Sequence, residues 1–260
     1  MTPQLSLADL ADPARRKDLV KVLKQAKSVV AITGAGVSAE SGISTFRGAG
    51  GYWEKFRAEE LASPSGFAKD PELVWRWYNE RRIAILNNQP NPGHFALAAL
   101  EKIFPSFLLV TQNVDGFHGQ AGSEKMVEIH GSIWELRCTR EGKIWTDRQI
   151  FETLPVYCEC GALARPNVLW FGETYNPSLF QQAQKAASQA DLILVAGTSG
   201  MVWIVAGLLQ VHYQHRRQGQ VIEINLESSD LTPEVDLLLQ GPSGQILPHL
   251  LELLKNEDQT

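Results

Sequence analysis

Cysteine and methionine are both scarce in this chain, three of each in 260 residues. Three cysteines cannot build a disulfide framework, and an odd number fits a reducing compartment better than an oxidising one. Excess positive charge is missing as well: 24 basic against 29 acidic side chains leave a net charge of −5. A protein that binds through phosphate contacts needs a basic face, so nucleic acid is not an expected partner. No apolar run approaches the ~18 residues of a membrane span. No continuous hydrophobic segment follows the first basic residues, so a secretory signal is not expected. The expectation is a cytoplasmic protein without a membrane partner.

What is present is ordinary globular material, 44% apolar and 20% charged, enough for one large domain carrying a small insert. Nearly continuous apolar runs at residues 28–33, 107–111, 192–196 and 221–224 read as strands of a parallel sheet covered on both faces. Helical patterns lie at 14–25, 72–87, 92–102, 177–189 and 201–217. The alternation predicts an α/β fold, a doubly wound parallel sheet. Residues 137–165 break this rhythm: they hold all three cysteines and little periodicity, and read as a small insert rather than a sheet unit. The polar tail from Lys255 is expected to fray.

The loop Gly34-Ala35-Gly36-Val37-Ser38-Ala39 follows the first strand directly and fits G-x-G-x-x-G/A. Glycines there let backbone N–H groups and a helix N-terminus approach a pyrophosphate. A ligand-free turn has the same composition; the strand before it favours dinucleotide binding. The acidic residue that closes a second strand ~20 residues later in dehydrogenases is lacking. Residues 41–53 are instead rich in glycine and carry Phe46, Arg47, Tyr52 and Trp53, the composition of a flap that closes over a ligand. This counts against simple hydride transfer.

Gly34-Ala35-Gly36-Val37-Ser38, Thr45-Phe46-Arg47-Gly48, Thr111-Gln112-Asn113-Val114-Asp115, Ile129-His130-Gly131, Phe171-Gly172-Glu173 and Gly197-Thr198-Ser199 occur in the order and spacing of the sirtuins. The chain resembles that family of NAD-dependent protein-lysine deacylases over about residues 14–250. The resemblance implies a Rossmann-like sheet with a small zinc-ribbon-like module. The large part comprises about 14–47, 100–136 and 166–255, and the small part about 48–99 and 137–165. It also implies a reaction in which nicotinamide leaves, an imidate forms on the ribose, and a histidine deprotonates a ribose hydroxyl. The products are free lysine and O-acyl-ADP-ribose.

In that scheme His130 is the base, an imidazole titrating near pH ~6.5 and so able to take a proton at neutral pH. Taken alone, it reads as a structural histidine closing a strand. Gln112, Asn113 and Asp115 match the nicotinamide and ribose pocket, although the bare string also reads as a helix cap. Gly34, Ala35, Gly36, Thr45, Phe46 and Arg47 match the loop and flap around NAD. Gly197, Thr198, Ser199, Asn225 and Glu227 match the phosphate and adenosine side. Val168, Phe171, Gly172 and Glu173 match a substrate staple, where an extended acyl-lysine peptide adds between strand edges.

Tyr78 and Arg81 are spaced i, i+3 and share a helix face. Without the resemblance they read as a surface pair, Arg81 bridging a carboxylate. In the class III branch of the family a Tyr-x-x-Arg pair binds the carboxylate of succinyl-, malonyl- or glutaryl-lysine, and Ala62 matches a small residue that leaves room for the chain. The resemblance therefore implies a preference for acidic acyl groups over acetyl. Two alternatives remain open: an ADP-ribosyltransferase or NAD hydrolase, and an NAD-sensing binding module.

The family's structural Zn²⁺ is held by two cysteine pairs. Here Cys138 is followed at the matching position by Glu141, and the second pair is Cys158-Glu159-Cys160. Zinc on three thiolates completed by Glu141, Asp147 or water competes with a metal-free insert held by packing. Val202-Trp203-Ile204 and Phe117-His118-Gly119 also depart from the family's usual Val-Tyr-Pro and Leu-His.

Overall fold

A computed structural model describes residues 2–44, 58–215 and 219–256. Thr45, Phe46 and Arg47, with the rest of the expected flap to Trp53, lie outside the described residues. In chain order the elements are β1 (Gln4–Ser6), α1 (Leu7–Ala11), α2 (Pro13–Gln25), β2 (Ser28–Thr33), α3 (Ala35–Ala39), α4 (Ala58–Leu61), α5 (Pro64–Lys69), α6 (Pro71–Leu86), α7 (Pro92–Ile103) and β3 (Ser106–Thr111). There follow α8 (Phe117–Gln120), β4 (Met126–Glu128), β5 (Gly131–Cys138), β6 (Ile144–Thr146), β7 (Ala164–Val168), α9 (Pro177–Gln189), β8 (Leu192–Ala196), α10 (Trp203–His215), β9 (Gln220–Asn225), β10 (Leu237–Gln240) and α11 (Ser243–Asn256).

Seven strands form one parallel sheet in the order β1-β10-β9-β8-β2-β3-β4. β2 sits between β3 and β8, and its side chains alternate as a strand's period of two requires. Val29 and Ala31 enter the core under α2, α7 and α11, while Val30 and Ile32 enter the core under α9 and α10. Burial on both faces is why these strands read as unbroken apolar runs. The order reverses at β2, so the loops after β2, β3 and β8 meet at one switch point, the crevice where open α/β sheets bind ligands.

Five helices start on a shared signal, a Ser, Asp or Asn cap followed by proline at the first helical position. The pairs are Asp12-Pro13, Ser63-Pro64, Asp70-Pro71, Asn91-Pro92 and Asn176-Pro177, and each cap oxygen accepts a backbone N–H of the first turn. Asn91 does more, because its Nδ2 donates to the Val37 carbonyl at 2.7 Å and so ties α7 to the glycine loop.

The insert is separate from the main sheet, as the sequence predicts, and carries a small sheet of its own. β6, β5 and β7 form a second, antiparallel sheet of three strands. Within β5 the side chains Ile133, Leu136 and Cys138 are buried while Arg137 is exposed, so a half-buried strand crosses the boundary expected at residue 137. This sheet packs on α4–α6 through Trp75, Trp77, Tyr78, Trp134 and Trp170, a third core separate from those of the main sheet. The C-terminal helix also runs further than expected, through Lys255 to Asn256, because Leu250, Leu253 and Leu254 bury one of its faces. No helix among the described residues is long and apolar enough to cross a membrane.

Candidate active site

Backbone meets backbone at the switch point. Gly34 N–H donates to the Ala196 carbonyl at 3.0 Å and Gly36 N–H to the Gly197 carbonyl at 2.7 Å. A Cβ on Gly34 or Gly36 would lie 2.8 Å from the Gly197 segment, and Gly197 itself is left-handed at φ +61. These glycines are therefore required first for packing the two loops together, a reason in addition to cofactor approach.

The segment after β3 fills the space beside this contact. Asn113 Nδ2 donates to the Gly34 carbonyl (3.0 Å) and to Ser38 Oγ (3.1 Å), and Ser38 donates to Asp115 Oδ2 at 2.8 Å. Asp115 Oδ1 accepts the Phe117 N–H at 2.8 Å. It stands one residue before the helix cap, which is Gly116 and has no side-chain cap bond, so the cap role read from the bare string is not what the structure shows. Burial pushes the Asp115 carboxyl up, against the hydrogen bonds from Phe117 and Ser38 and the charge of Arg81. Ala35, Ser38, Arg81, Gln112, Asn113 and Asp115 line one narrow cavity, together with Ile43, Ser44, Ile85 and Val114.

Beneath it lie two buried histidines that sequence reasoning assigned no role. His94 Nδ1 accepts the Asn91 N–H, so its Nε2 carries the hydrogen and faces Ser38 Oγ at 3.4 Å. His118 Nε2 faces Thr33 Oγ1 at 2.9 Å. Burial pushes both down, to about 4 and about 3, with the His94 charge adding to the shift of His118, so both stay neutral with their rings 4.7 Å apart. The string Asn91-Pro92-Gly93-His94 was the available signal, a cap followed by a histidine one turn in.

His130 sits between β4 and β5, where the chain leaves one sheet for the other. Ile129 N–H donates to the Thr111 carbonyl, and Leu169 N–H donates to the His130 carbonyl at 2.8 Å. Gly131 follows at φ +74, with the Asn167 carbonyl 2.0 Å from where a Cβ would stand, so only glycine permits this turn. His130 Nδ1 lies 3.1 Å from the Gln112 carbonyl. A carbonyl only accepts, so Nδ1 bears the hydrogen and Nε2 presents its lone pair. Tyr175 Oη lies 3.4 Å from that Nε2, with the rings stacked at 5.8 Å. Nothing in the sequence marked Tyr175.

Burial lowers the His130 pKa, only partly offset by the Gln112 carbonyl. A base that loses its proton more readily works to lower pH. The acid limb of kcat/KM is expected to inflect below pH ~6.5; an inflection at or above that value would contradict the assignment. Glu128, pushed up to about 7 by burial and by Glu135 and Asp115, titrates nearby. Glu128→Gln is expected to leave the limb in place.

The pair Tyr78 and Arg81 is not a surface pair. Tyr78 is 1% exposed, while Arg81 is half-buried and lines the cavity with Asp115. Trp170 Nε1 donates to Tyr78 Oη at 2.8 Å, which leaves the phenol hydrogen available to a further acceptor. Burial pushes Tyr78 up to about 12, so it stays a neutral donor. Burial also pulls Arg81 below its ordinary value, opposed by Tyr78 and Asp115. Ala62 is buried, and its carbonyl accepts the Phe171 N–H at 2.9 Å.

β7 is an edge strand of the small sheet, and Val168 stands at its end opposite Gly131. Phe171 is exposed and Gly172 is left-handed at φ +86. Glu173 closes this turn: it takes two hydrogen bonds from Arg165, at 2.6 and 2.9 Å, and one from Trp170 N–H. On the far side Thr198 is buried and its hydroxyl accepts from Gln112 Nε2. Asn225 donates to the Thr198 carbonyl at 2.9 Å. Ser199 and Glu227 are exposed at the C-terminal ends of β8 and β9. In the insert the sulfurs of Cys138, Cys158 and Cys160 converge, a donor set that suits Zn²⁺.

These features define a nucleotide-binding α/β enzyme with a half-buried histidine at the junction of its two sheets. The Sir2 family pattern matches residues 34–203, and the chain belongs to the Sir2 family. It is similar over 244 residues to NAD-dependent protein deacylase 2 of Pyrobaculum aerophilum, with 44% identity across 94% of this chain and 97% of that protein. A solved Sir2 homologue–NAD complex superposes with a TM-score of 0.88 at 43% identity, covering 93% of this chain and 94% of that one. A Sir2 homologue variant bound to 2′-O-acetyl-ADP-ribose gives 0.87 at 43%, covering 93% and 97%.

Proposed function

We propose that this protein removes acyl groups from protein lysines with consumption of NAD. It prefers succinyl, malonyl or glutaryl to acetyl, and releases nicotinamide and O-acyl-ADP-ribose. The observation that carries the reading is the cavity that brings Arg81 together with Asn113 and Asp115. It sets a guanidinium for an acyl carboxylate beside the groups that would receive nicotinamide. The glycine loop bonds to Asn113, Gln112 bonds to Thr198 and Asn225 bonds to Thr198, a connected run at the strand ends that suits an extended dinucleotide.

Bound NAD would supply the electrophilic ribose carbon and the hydroxyl that gives up its proton. The chain's part begins with His130, whose Nε2 takes that proton while Nδ1–H stays on the Gln112 carbonyl. Asn113 and Asp115 orient the nicotinamide side, and the Ser38 and His94 hydrogen bonds hold them there. The turn braced by Arg165 and Glu173 holds the peptide at the edge of β7, a mode that recognises backbone more than sequence. Acyl-lysine peptides and proteins are accordingly the partners.

A hydrogen bond to a charged group contributes about 1.5–3 kcal/mol, or roughly tenfold to a hundredfold in discrimination. With one peptide bearing acetyl, malonyl, succinyl or glutaryl lysine, kcat/KM is expected to be highest on an acidic group. Arg81→Met is expected to lower the acidic-acyl value by about that factor and change the acetyl value by less than about twofold. Equal losses on all acyl groups, or none, would refute the selector role.

A further inference from the structure

We propose that the insert holds its zinc through three thiolates and one carboxylate, with Glu141 as the fourth ligand. The ligand atoms of Cys138, Glu141, Cys158 and Cys160 all lie within 4.8 Å of one another. Zn–S bonds of about 2.3 Å and Zn–O bonds of about 2.1 Å place tetrahedral donors about 3.6–3.8 Å apart. A small inward movement of the side chains would therefore close a four-coordinate shell. Cys138 and Cys160 sulfurs are already 3.5 Å apart.

The backbone supports the same ligand set. The turn after Cys138 brings the Glu141 N–H onto Cys138 Sγ at 3.3 Å and ends in Gly142 at φ +69. The turn after Cys158 ends in the same way, in Gly161 at φ +80. Glu141 thus occupies the place in the first turn that Cys160 occupies in the second. The neighbouring cation Lys143 bonds to Glu159 at 2.8 Å rather than to Glu141. Asp147, the other carboxylate raised by the sequence, is not among the converging donors; it caps the Gln149 N–H instead.

Three thiolates and a carboxylate carry the same charge as four thiolates, so the ion is equally neutralised. The oxygen donor is harder, and it sits on the exposed rim while Cys138 and Cys158 are buried. Such a site holds zinc less tightly than four thiolates and releases it through the carboxylate edge. The ion would tie the end of β5 to the turn that leads into β7, and so brace the sheet that carries the substrate edge.

The test uses the full-length protein stripped by a chelator and titrated with Co²⁺, whose d–d bands report tetrahedral geometry. Its near-ultraviolet charge-transfer intensity counts Co–S bonds. The wild type is expected to give a tetrahedral spectrum of three-thiolate intensity. Glu141→Cys is expected to raise that intensity by one third, shift the d–d bands to the red and hold Zn²⁺ at least tenfold more tightly against a chelator. Glu141→Gln is expected to hold Zn²⁺ at least tenfold more weakly with no loss of thiolate intensity. A wild type without tetrahedral Co²⁺ bands would overturn the proposal. So would a Glu141→Gln protein with unchanged affinity and spectrum, because the fourth ligand would then lie elsewhere.

Discussion

Replacing His130 by alanine is expected to lower deacylation by about 10²–10⁴-fold, the usual contribution of a positioned general base, while NAD still binds. The separation follows from the geometry. The proposed dinucleotide site uses the Gly34–Gly197 contact and Asn113, Thr198 and Asn225, none of which bonds to the imidazole. His130 touches the rest of the site through the Gln112 carbonyl and Tyr175. Calorimetric NAD binding with a nearly unchanged dissociation constant, beside a collapse of kcat, is the expected pattern. Equal loss of both would make His130 a structural residue.

The second large effect belongs to Arg82, one residue from the proposed acyl selector. Consecutive helical residues point ~100° apart, so Arg81 lines the cavity while Arg82 enters the third core and is 0% exposed. Arg82 donates twice to the Ile133 carbonyl, at 3.0 and 2.7 Å, and once to the Gln149 carbonyl at 2.8 Å. Its guanidinium lies over the rings of Trp75, Trp134 and Phe151. Burial lowers its pKa to about 10, which leaves it charged at neutral pH. Arg82→Met removes these bonds and strands two carbonyls, at an expected cost of about 3–5 kcal/mol. Urea unfolding measures it; a loss below about 1 kcal/mol would mean that the aromatic cage alone secures α6 to β5.

Legibility followed burial and length. β2 and β8 are unbroken apolar runs bounded by polar residues, and the sequence places both ends of each. α9 was equally clear, because Asn176-Pro177 marks its start. β1, β4 and β10 are three or four residues long, and their pairing with longer strands, not their own composition, makes them strands. The start of β5 was not legible for another reason. Ser132, Ile133 and Trp134 are buried in succession, so no alternation marks the first half of β5, and the period of two shows only from Trp134 to Cys138.

The site divides in the same way. Gln112, Asn113, Asp115, His130 and the glycine loops lie at strand ends and were legible as motifs. The burial of Tyr78 was not, because it comes from a core that joins distant segments, Trp170, 92 residues away in the chain, among them. Tyr175 meets His130, and His94 meets Ser38, through contacts that local spacing does not encode. Thr45, Phe46 and Arg47 rest on the family resemblance alone.

Product stoichiometry tests the central claim most directly. With NAD and an acylated peptide, mass spectrometry is expected to find one nicotinamide, one free lysine peptide and one O-acyl-ADP-ribose per turnover, and no nicotinamide release without the acyl group. Nicotinamide released at the same rate from unacylated peptide, with free ADP-ribose or an ADP-ribosylated acceptor as the product, would contradict it.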